Sequence, residues 1–281
     1  MNLQLLRRFI RDYPFQPATG VWRTVEIGYV LSRQLPQGRG LDLGCGDGLL
    51  TKIVAERAGW DNIVGIDPDA EESRLAAGLG IYRTVHTASA AAIPEPDASF
   101  DWVFSNSVLE HVDEIDGVLA DVARVLRPGG EFVLTVPGPD FHSALRGPLM
   151  PWADRRAYMK VLDARLYHHR YWGEPEWTAT LAPLGFTVVE GSEYLSKSEA
   201  RRWETVARCT SGMLYSLFGR RKRPIEIQRT LAMRSGNVKL PRPFARVLAW
   251  IFSLRTTSQG APYGCVFIRA RRNADQESDA P

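Results

Sequence analysis

Along the first third of the chain, apolar positions switch between two spacings. Residues 1–37 read as helical, with a break at Tyr13-Pro14 and Pro17, and Trp22 to Gln34 forms a second amphipathic run closed by Pro36-Gln37-Gly38. From there, short apolar runs alternate with helical periods. Gly40 to Leu43 predicts a strand, and Leu49 to Ala58 a helix with Leu49, Leu50, Ile53 and Val54 on one side. Asn62 to Ile66 predicts a second strand and Pro68–Gly80 a helix, followed by a weak strand at Thr84–His86 and a loop over Ala88–Pro96. Phe100 to Ser105 is a strand, Ile115 to Leu126 a helix, Arg127-Pro128-Gly129-Gly130 a stop and turn, and Glu131 to Val136 a strand ending at Pro137.

Strands separated by helices of this length predict right-handed βαβ units. The fold class expected is α/β: a doubly wound, mostly parallel, seven-stranded Rossmann-like sheet with a helical insertion before the last strand. After Pro137 the pattern loosens. Glu174–Leu184 predicts a helix, Phe186–Tyr194 a strand, 196–256 a mostly helical stretch, and Tyr263–Ala270 the last strand. The organisation expected is an N-terminal helical segment (1–37), a cofactor-binding core (38–137) and a substrate-side lid region with strand six (138–195). A basic helical insertion (196–258), the last strand (259–271) and a polar, disordered tail (272–281) follow.

Composition narrows the classes. The 281 residues are 44% hydrophobic and 24% charged, enough for a sizeable core. No window of about 18 apolar residues is present to span a bilayer. With arginines in the first residues, and only Cys45, Cys209 and Cys265 as cysteines, neither an export signal nor a disulfide or cysteine–zinc framework is read. The expected address is cytoplasmic. Net charge is +3, yet residues 196–256 hold fourteen Lys/Arg against three Glu, about +11, leaving about −8 elsewhere. The Arg220-Arg221-Lys222-Arg223 run, interleaved with aromatic and aliphatic residues, suits either a solvated helix face or peripheral association with the inner, anionic face of a membrane. Nucleic acid is not favoured as a partner.

The chemistry is concentrated after the first strand. In an open parallel sheet, ligands sit beyond the strands' C-terminal ends, where strand order reverses. Gly44, Gly46 and Gly48 let the backbone turn tightly and approach a ligand there. A dinucleotide site needs G-x-G-x-x-G/A, but here the third small residue falls one place early, and Asp47 would repel a pyrophosphate. Asp42 suits a cationic ligand. Asp67, nineteen residues past Gly48, can hydrogen-bond two ribose hydroxyls. A nicotinamide oxidoreductase is therefore disfavoured.

Four stretches in order, LDLGCGDG, GIDPD, SFDWVFSNSVLEHV and LRPGGEFVLTVP, resemble the successive motifs of the class I S-adenosylmethionine-dependent methyltransferases. The pattern is most similar to the small-molecule group that includes the ubiquinone/menaquinone methyltransferases, and it covers residues 38–137 plus the terminal strands. The resemblance implies S-adenosyl-L-methionine as cofactor, with Asp42, Gly44, Cys45 and Gly46 around its methionyl part. It likewise implies Asp67 at the ribose, Pro68 beside the adenine, and Asn106 facing the methionine and sulfonium. Where the family usually carries an adenine-binding Asp, this chain has Ser89, followed by Ala90.

The acceptor side is less defined by pattern. Methyl transfer needs alignment above all, and a hydroxyl acceptor also needs a base. His111, His142 and His168 are the candidate catalytic bases, with His169 beside them. No metal is expected. The predicted activity is O-methylation of a hydroxyl on a sugar, glycan or lipid-like small molecule. A C-methyltransferase acting on a quinol or lipid, and a non-catalytic cofactor-binding partner protein, are the alternatives. Ser105-Asn106-Ser107-Val108 stands where amino methyltransferases of nucleic acid and protein carry Asn/Asp-Pro-Pro-aromatic.

Overall fold

A computed structural model describes residues 1–217, 226–227 and 239–274. The Arg220–Arg223 run and the tail from 275 onward lie outside the described residues. The chain divides into two compact units.

The second unit comprises Arg33–Pro137, Trp172–Ser192 and the chain from Val266, and it carries most of a seven-stranded sheet. Its strands are β1 (Gly40–Leu43), β2 (Ile63–Asp67), β3 (Tyr82–Thr87), β4 (Phe100–Asn106), β5 (Leu126–Pro137), β6 (Phe186–Ser196) and β7 (Tyr263–Arg272), in the order β3-β2-β1-β4-β5-β7-β6. The β1–β2, β1–β4, β2–β3 and β4–β5 pairings are parallel. Strand order reverses at β1/β4, and this is the point at which such sheets bind ligands. The expected seven-stranded α/β fold is present, with the last strand inserted between β5 and β6.

β1 reads as an apolar run because every residue of it is buried. Gly40 is needed there: a Cβ would sit 1.9 Å from the Trp102 ring, which stacks on Trp60 at 4.0 Å between centroids. The helix over Leu49–Ala58 matches its predicted bounds. The helix over Ile115–Val125 buries Ile115, Val118, Leu119, Val122 and Val125, the spacing that marked it in the sequence. One turn was not a turn: Arg127-Pro128-Gly129-Gly130 lies inside β5, absorbed as a register shift against β4 between Phe100 and Trp102.

The first unit comprises Met1–Ser32, Gly138–Tyr171 and Glu193–Cys265. Its helices are α1 (Leu3–Asp12), α2 (Pro17–Val30), α6 (Phe141–Ala144), α7 (Arg155–Leu166), α9 (Lys197–Ala207), α10 (Met213–Leu217) and α11 (Arg242–Ser253). Those of the second unit are α3 (Leu49–Ala58), α4 (Ala70–Ala77), α5 (Ile115–Val125) and α8 (Glu174–Leu181). Asn2 caps α1 by accepting hydrogen bonds from the Gln4 and Leu5 amides at 3.1 Å, and Ser196 and Glu199 form a reciprocal cap on α9. No helix was expected between 138 and 172, yet α7 forms there. It buries only Met159 and Leu162, too few apolar positions to leave a period in the sequence. Among the described residues, no helix is long and apolar enough to cross a membrane.

Candidate active site

The loop leaving β1 is bound tightly to the end of β2. The Gly44 and Cys45 amides both donate to the Ile66 carbonyl, at 2.8 and 3.0 Å, and the Gly46 amide donates to Asp67 Oδ2 at 2.9 Å. Gly48 then opens α3 in a left-handed conformation, and the Lys52 amide donates back to its carbonyl at 2.9 Å. Two of the glycines have different reasons to be there. At Gly44, with φ +75°, a Cβ would lie 2.5 Å from the Val108 side chain. At Gly46, with φ +53°, a Cβ would meet nothing nearer than a Glu72 carboxylate oxygen at 3.8 Å. Gly46 therefore borders an open hollow rather than a packed neighbour.

Asp67 closes one side of that hollow. Its Oδ1 accepts from the Asp69 amide and its Oδ2 from Gly46, both at 2.9 Å, leaving each oxygen a further lone pair. Burial raises its pKa, against those two hydrogen bonds. Pro68 follows it, exposed. Asp42 lies deeper than a ligand-facing residue would. It is 3% exposed and accepts a hydrogen bond from the Tyr82 hydroxyl at 2.6 Å, and burial pushes its pKa up to about 6 despite hydrogen bonds from Thr51 and Tyr82. Cys45 is buried as well. That burial, with Asp42 and Asp67 nearby, pushes its thiol far up, so the group stays neutral and the backbone is what the loop can offer.

Ser89 and Ala90 sit on the loop after β3. The Ser89 hydroxyl accepts from the Ala91 amide at 3.2 Å. Arg124 ties the loop to α5: its guanidinium donates to the Ile93 and Glu95 carbonyls, both at 2.8 Å, and to Asp121 Oδ1 at 2.6 Å. Asn106 ends β4, 8% exposed, and its amide nitrogen donates to Thr135 Oγ1 at 2.8 Å. Its Oδ1 is buried and accepts no hydrogen bond, an acceptor awaiting a donor. An open glycine hollow, a carboxylate with spare lone pairs and an orphaned acceptor fit the ribose hydroxyls and ammonium group of S-adenosylmethionine. Gly44, Gly46, Asp67 and Asn106 would hold it, with Asp42 supporting the loop from beneath.

The histidines separate. His111 ends a 3-10 turn over Leu109–His111 in the second unit, its Nε2 3.9 Å from Glu110 Oε1. His142 and His168 are in the first unit, where one carboxylate gathers them. His142 Nε2 is 2.8 Å from Asp163 Oδ1, the Tyr171 hydroxyl donates to the same oxygen at 2.5 Å, and His168 Nδ1 is 3.1 Å from that hydroxyl. Burial would raise the pKa of Asp163, but hydrogen bonds from His142 and Tyr171 outweigh it and hold the carboxyl below its usual range. Phe141 stacks on Tyr171 with centroids 5.6 Å apart. His142 and Asp163 line a cavity of about 920 Å³ together with Arg155, Arg156, Met159 and Lys160. Such a dyad fixes an imidazole's tautomer and orientation.

Sequence reasoning missed two positions. Tyr82, in the weak third strand, holds Asp42. Asp163 carries no motif and lies on the helix that was not foreseen. Asp101, in the SFDWVF stretch, accepts from the Arg39 amide at 2.6 Å and pairs with Arg127.

A family described as "Methyltransferase domain" matches residues 41–134. A dimethylglycine N-methyltransferase of Parasynechococcus marenigrum is 35% identical over 166 residues, 56% of this chain and 57% of that protein. A ubiquinone biosynthesis O-methyltransferase of Sinorhizobium medicae is 39% identical over 111 residues, 37% of this chain and 44% of that protein. The chain thus spans about half the length of these curated relatives. A solved SAM-dependent methyltransferase of Thermotoga maritima shares the fold with a TM-score of 0.54 at 17% identity, covering 96% of this chain and 99% of the other.

Proposed function

We propose that the chain, which matches the methyltransferase-domain family over residues 41–134, uses S-adenosylmethionine to O-methylate a hydroxyl of a sugar, glycan or lipid-like metabolite. The observation that carries this reading is the His142–Asp163 pair at 2.8 Å on the wall of a cavity. A hydroxyl must lose its proton as the carbon–oxygen bond forms, and a positioned histidine contributes about 10²–10⁴-fold to such a step. With Nε2 directed at Asp163, Nδ1 is the ring nitrogen left to take that proton. Tyr171 shares the carboxylate and restrains its rotation. The donor, when bound, supplies a methyl on a sulfonium whose departure needs no acid. The chain's task is otherwise to hold and align.

The His142 cavity sets Arg155, Arg156 and Lys160 against Asp154 and Asp163, beside Met159, which supports an acceptor carrying both polar groups and apolar surface. The test is incubation with methyl-labelled S-adenosylmethionine and fractionated sugars, glycans and lipids. Label in a methyl ether is expected; label in a methyl ester, on nitrogen or on carbon overturns the reading. A second reading, N-methylation of a small amine, is favoured by the 166-residue match to the dimethylglycine enzyme. Amines lose their proton to solvent beforehand, so that reaction would not depend on His142.

A further inference from the structure

The first unit carries a surface with two adjoining parts. One is the outward side of α11. Phe244, Val247 and Trp250 are 63%, 56% and 57% exposed, and Ile251 and Leu254 are exposed beside them. At the helical period these five fall within an arc of about 120°. On the opposite side, Ala245 and Ala249 are buried, and α11 packs against α1. A helix of a globular protein turns its large apolar residues inward. This one turns two alanines inward and presents an aromatic and aliphatic stripe.

The other part is a hollow of about 580 Å³ whose lining includes Arg146, Lys197, Arg201, Arg202 and Arg255, and no carboxylate. Among the described residues none of these five cations is ion-paired, and the Arg201 Nε is a buried donor with no acceptor. Five like charges around one hollow repel one another unless an anion enters. The two parts are joined. Arg202 donates to the Leu254 carbonyl and, at 3.3 Å, to Thr256 Oγ1, so the cations stand at the C-terminal end of the apolar stripe.

We propose that α11 and this hollow form a docking surface for an anionic phospholipid bilayer. The headgroup phosphates occupy the Arg/Lys hollow, and the Phe244–Leu254 stripe enters the acyl boundary. Charge complementarity selects this occupant: an apolar stripe beside an unpaired cationic hollow answers both halves of an anionic lipid, whereas nucleic acid offers nothing to the stripe. The inference stands independently of the methyl-transfer reading, since none of these residues belongs to the candidate active site.

The experiment is sedimentation of the full chain with vesicles of phosphatidylcholine alone and of phosphatidylcholine with phosphatidylglycerol. Binding to the mixed vesicles is expected, weakening as salt rises, with at least tenfold poorer binding to the neutral ones. K197Q/R201Q/R255Q lowers binding by roughly fivefold per charge removed. F244S/W250S, at positions already in solvent, lowers it without altering circular dichroism. Absence of binding to anionic vesicles at low salt overturns the proposal, as does unchanged binding by F244S/W250S. Two further results overturn it: calorimetric binding of inorganic phosphate without vesicle binding, which would mark a soluble phosphorylated ligand, and a dimer split by F244S/W250S without vesicle binding, which would mark a second copy on this face.

Discussion

The Gly46 amide donates a hydrogen bond to Asp67 Oδ2 at 2.9 Å, so the carboxylate that ends β2 shapes the loop that leaves β1. Asp67 therefore acts twice, as a loop anchor and as the group offered to a ribose. Asp67→Ala removes both roles. Hydrogen bonds to a charged group are each worth about 1.5–3 kcal/mol, so affinity for S-adenosylhomocysteine is expected to fall by about 10–100-fold. Isothermal calorimetry reads this directly, and an unchanged affinity would sink the ribose assignment.

His142 supplies the second prediction. If it removes a hydroxyl proton, His142→Ala lowers kcat by about 10²–10⁴-fold with the KM for S-adenosylmethionine unmoved. Asp163→Asn keeps the volume and loses the charge that orients the ring, and a smaller loss is expected. Steady-state rates of the two variants check both; full activity of His142→Ala would favour the amine acceptor.

Much of the second unit was legible in the sequence because its strands are buried and its helices amphipathic. β1 and α3 fall on their expected bounds, since Gly40–Leu43 is walled on both sides and Gly44 and Gly48 punctuate the chain. The glycine loop, Asp67 and Asn106 were legible as motif positions. The Asp163 node was not. It brings together His142, Tyr171 and His168 by tertiary packing, and its helix has no apolar stripe to announce it. The partners of Asp42 were not legible either: Tyr82 and Thr51, which hydrogen-bond its carboxylate, carry no motif.

Asp42 also gives a pH prediction. Its pKa rises from 3.8 to about 6 on burial. The unfolded chain thus releases this proton first, and the stability contributed by protonated Asp42 is complete below about pH 4. It is lost as pH rises through 6. The shift corresponds to at most about 3 kcal/mol. Asp42→Asn, which still accepts from Tyr82, should raise stability at pH 7 by about 1–3 kcal/mol and flatten the urea midpoint between pH 4 and 6. A variant less stable than wild type at pH 7 would contradict this.

Gly44 tests whether the loop's shape or its openness matters more. A side chain here meets two obstacles at once: φ of +75° and a Val108 methyl 2.5 Å from the new Cβ. Gly44→Ala should therefore cost about 1–3 kcal/mol in urea unfolding from the strained backbone, with the clash adding to it. Val108→Ala removes the methyls and leaves the strain, so the double variant should recover part of the loss. Gly46→Ala meets only the strain and open space, so its larger effect should fall on cofactor affinity. If Gly44→Ala and Gly46→Ala lose stability equally and bind S-adenosylhomocysteine equally, the division of roles between the two glycines is wrong.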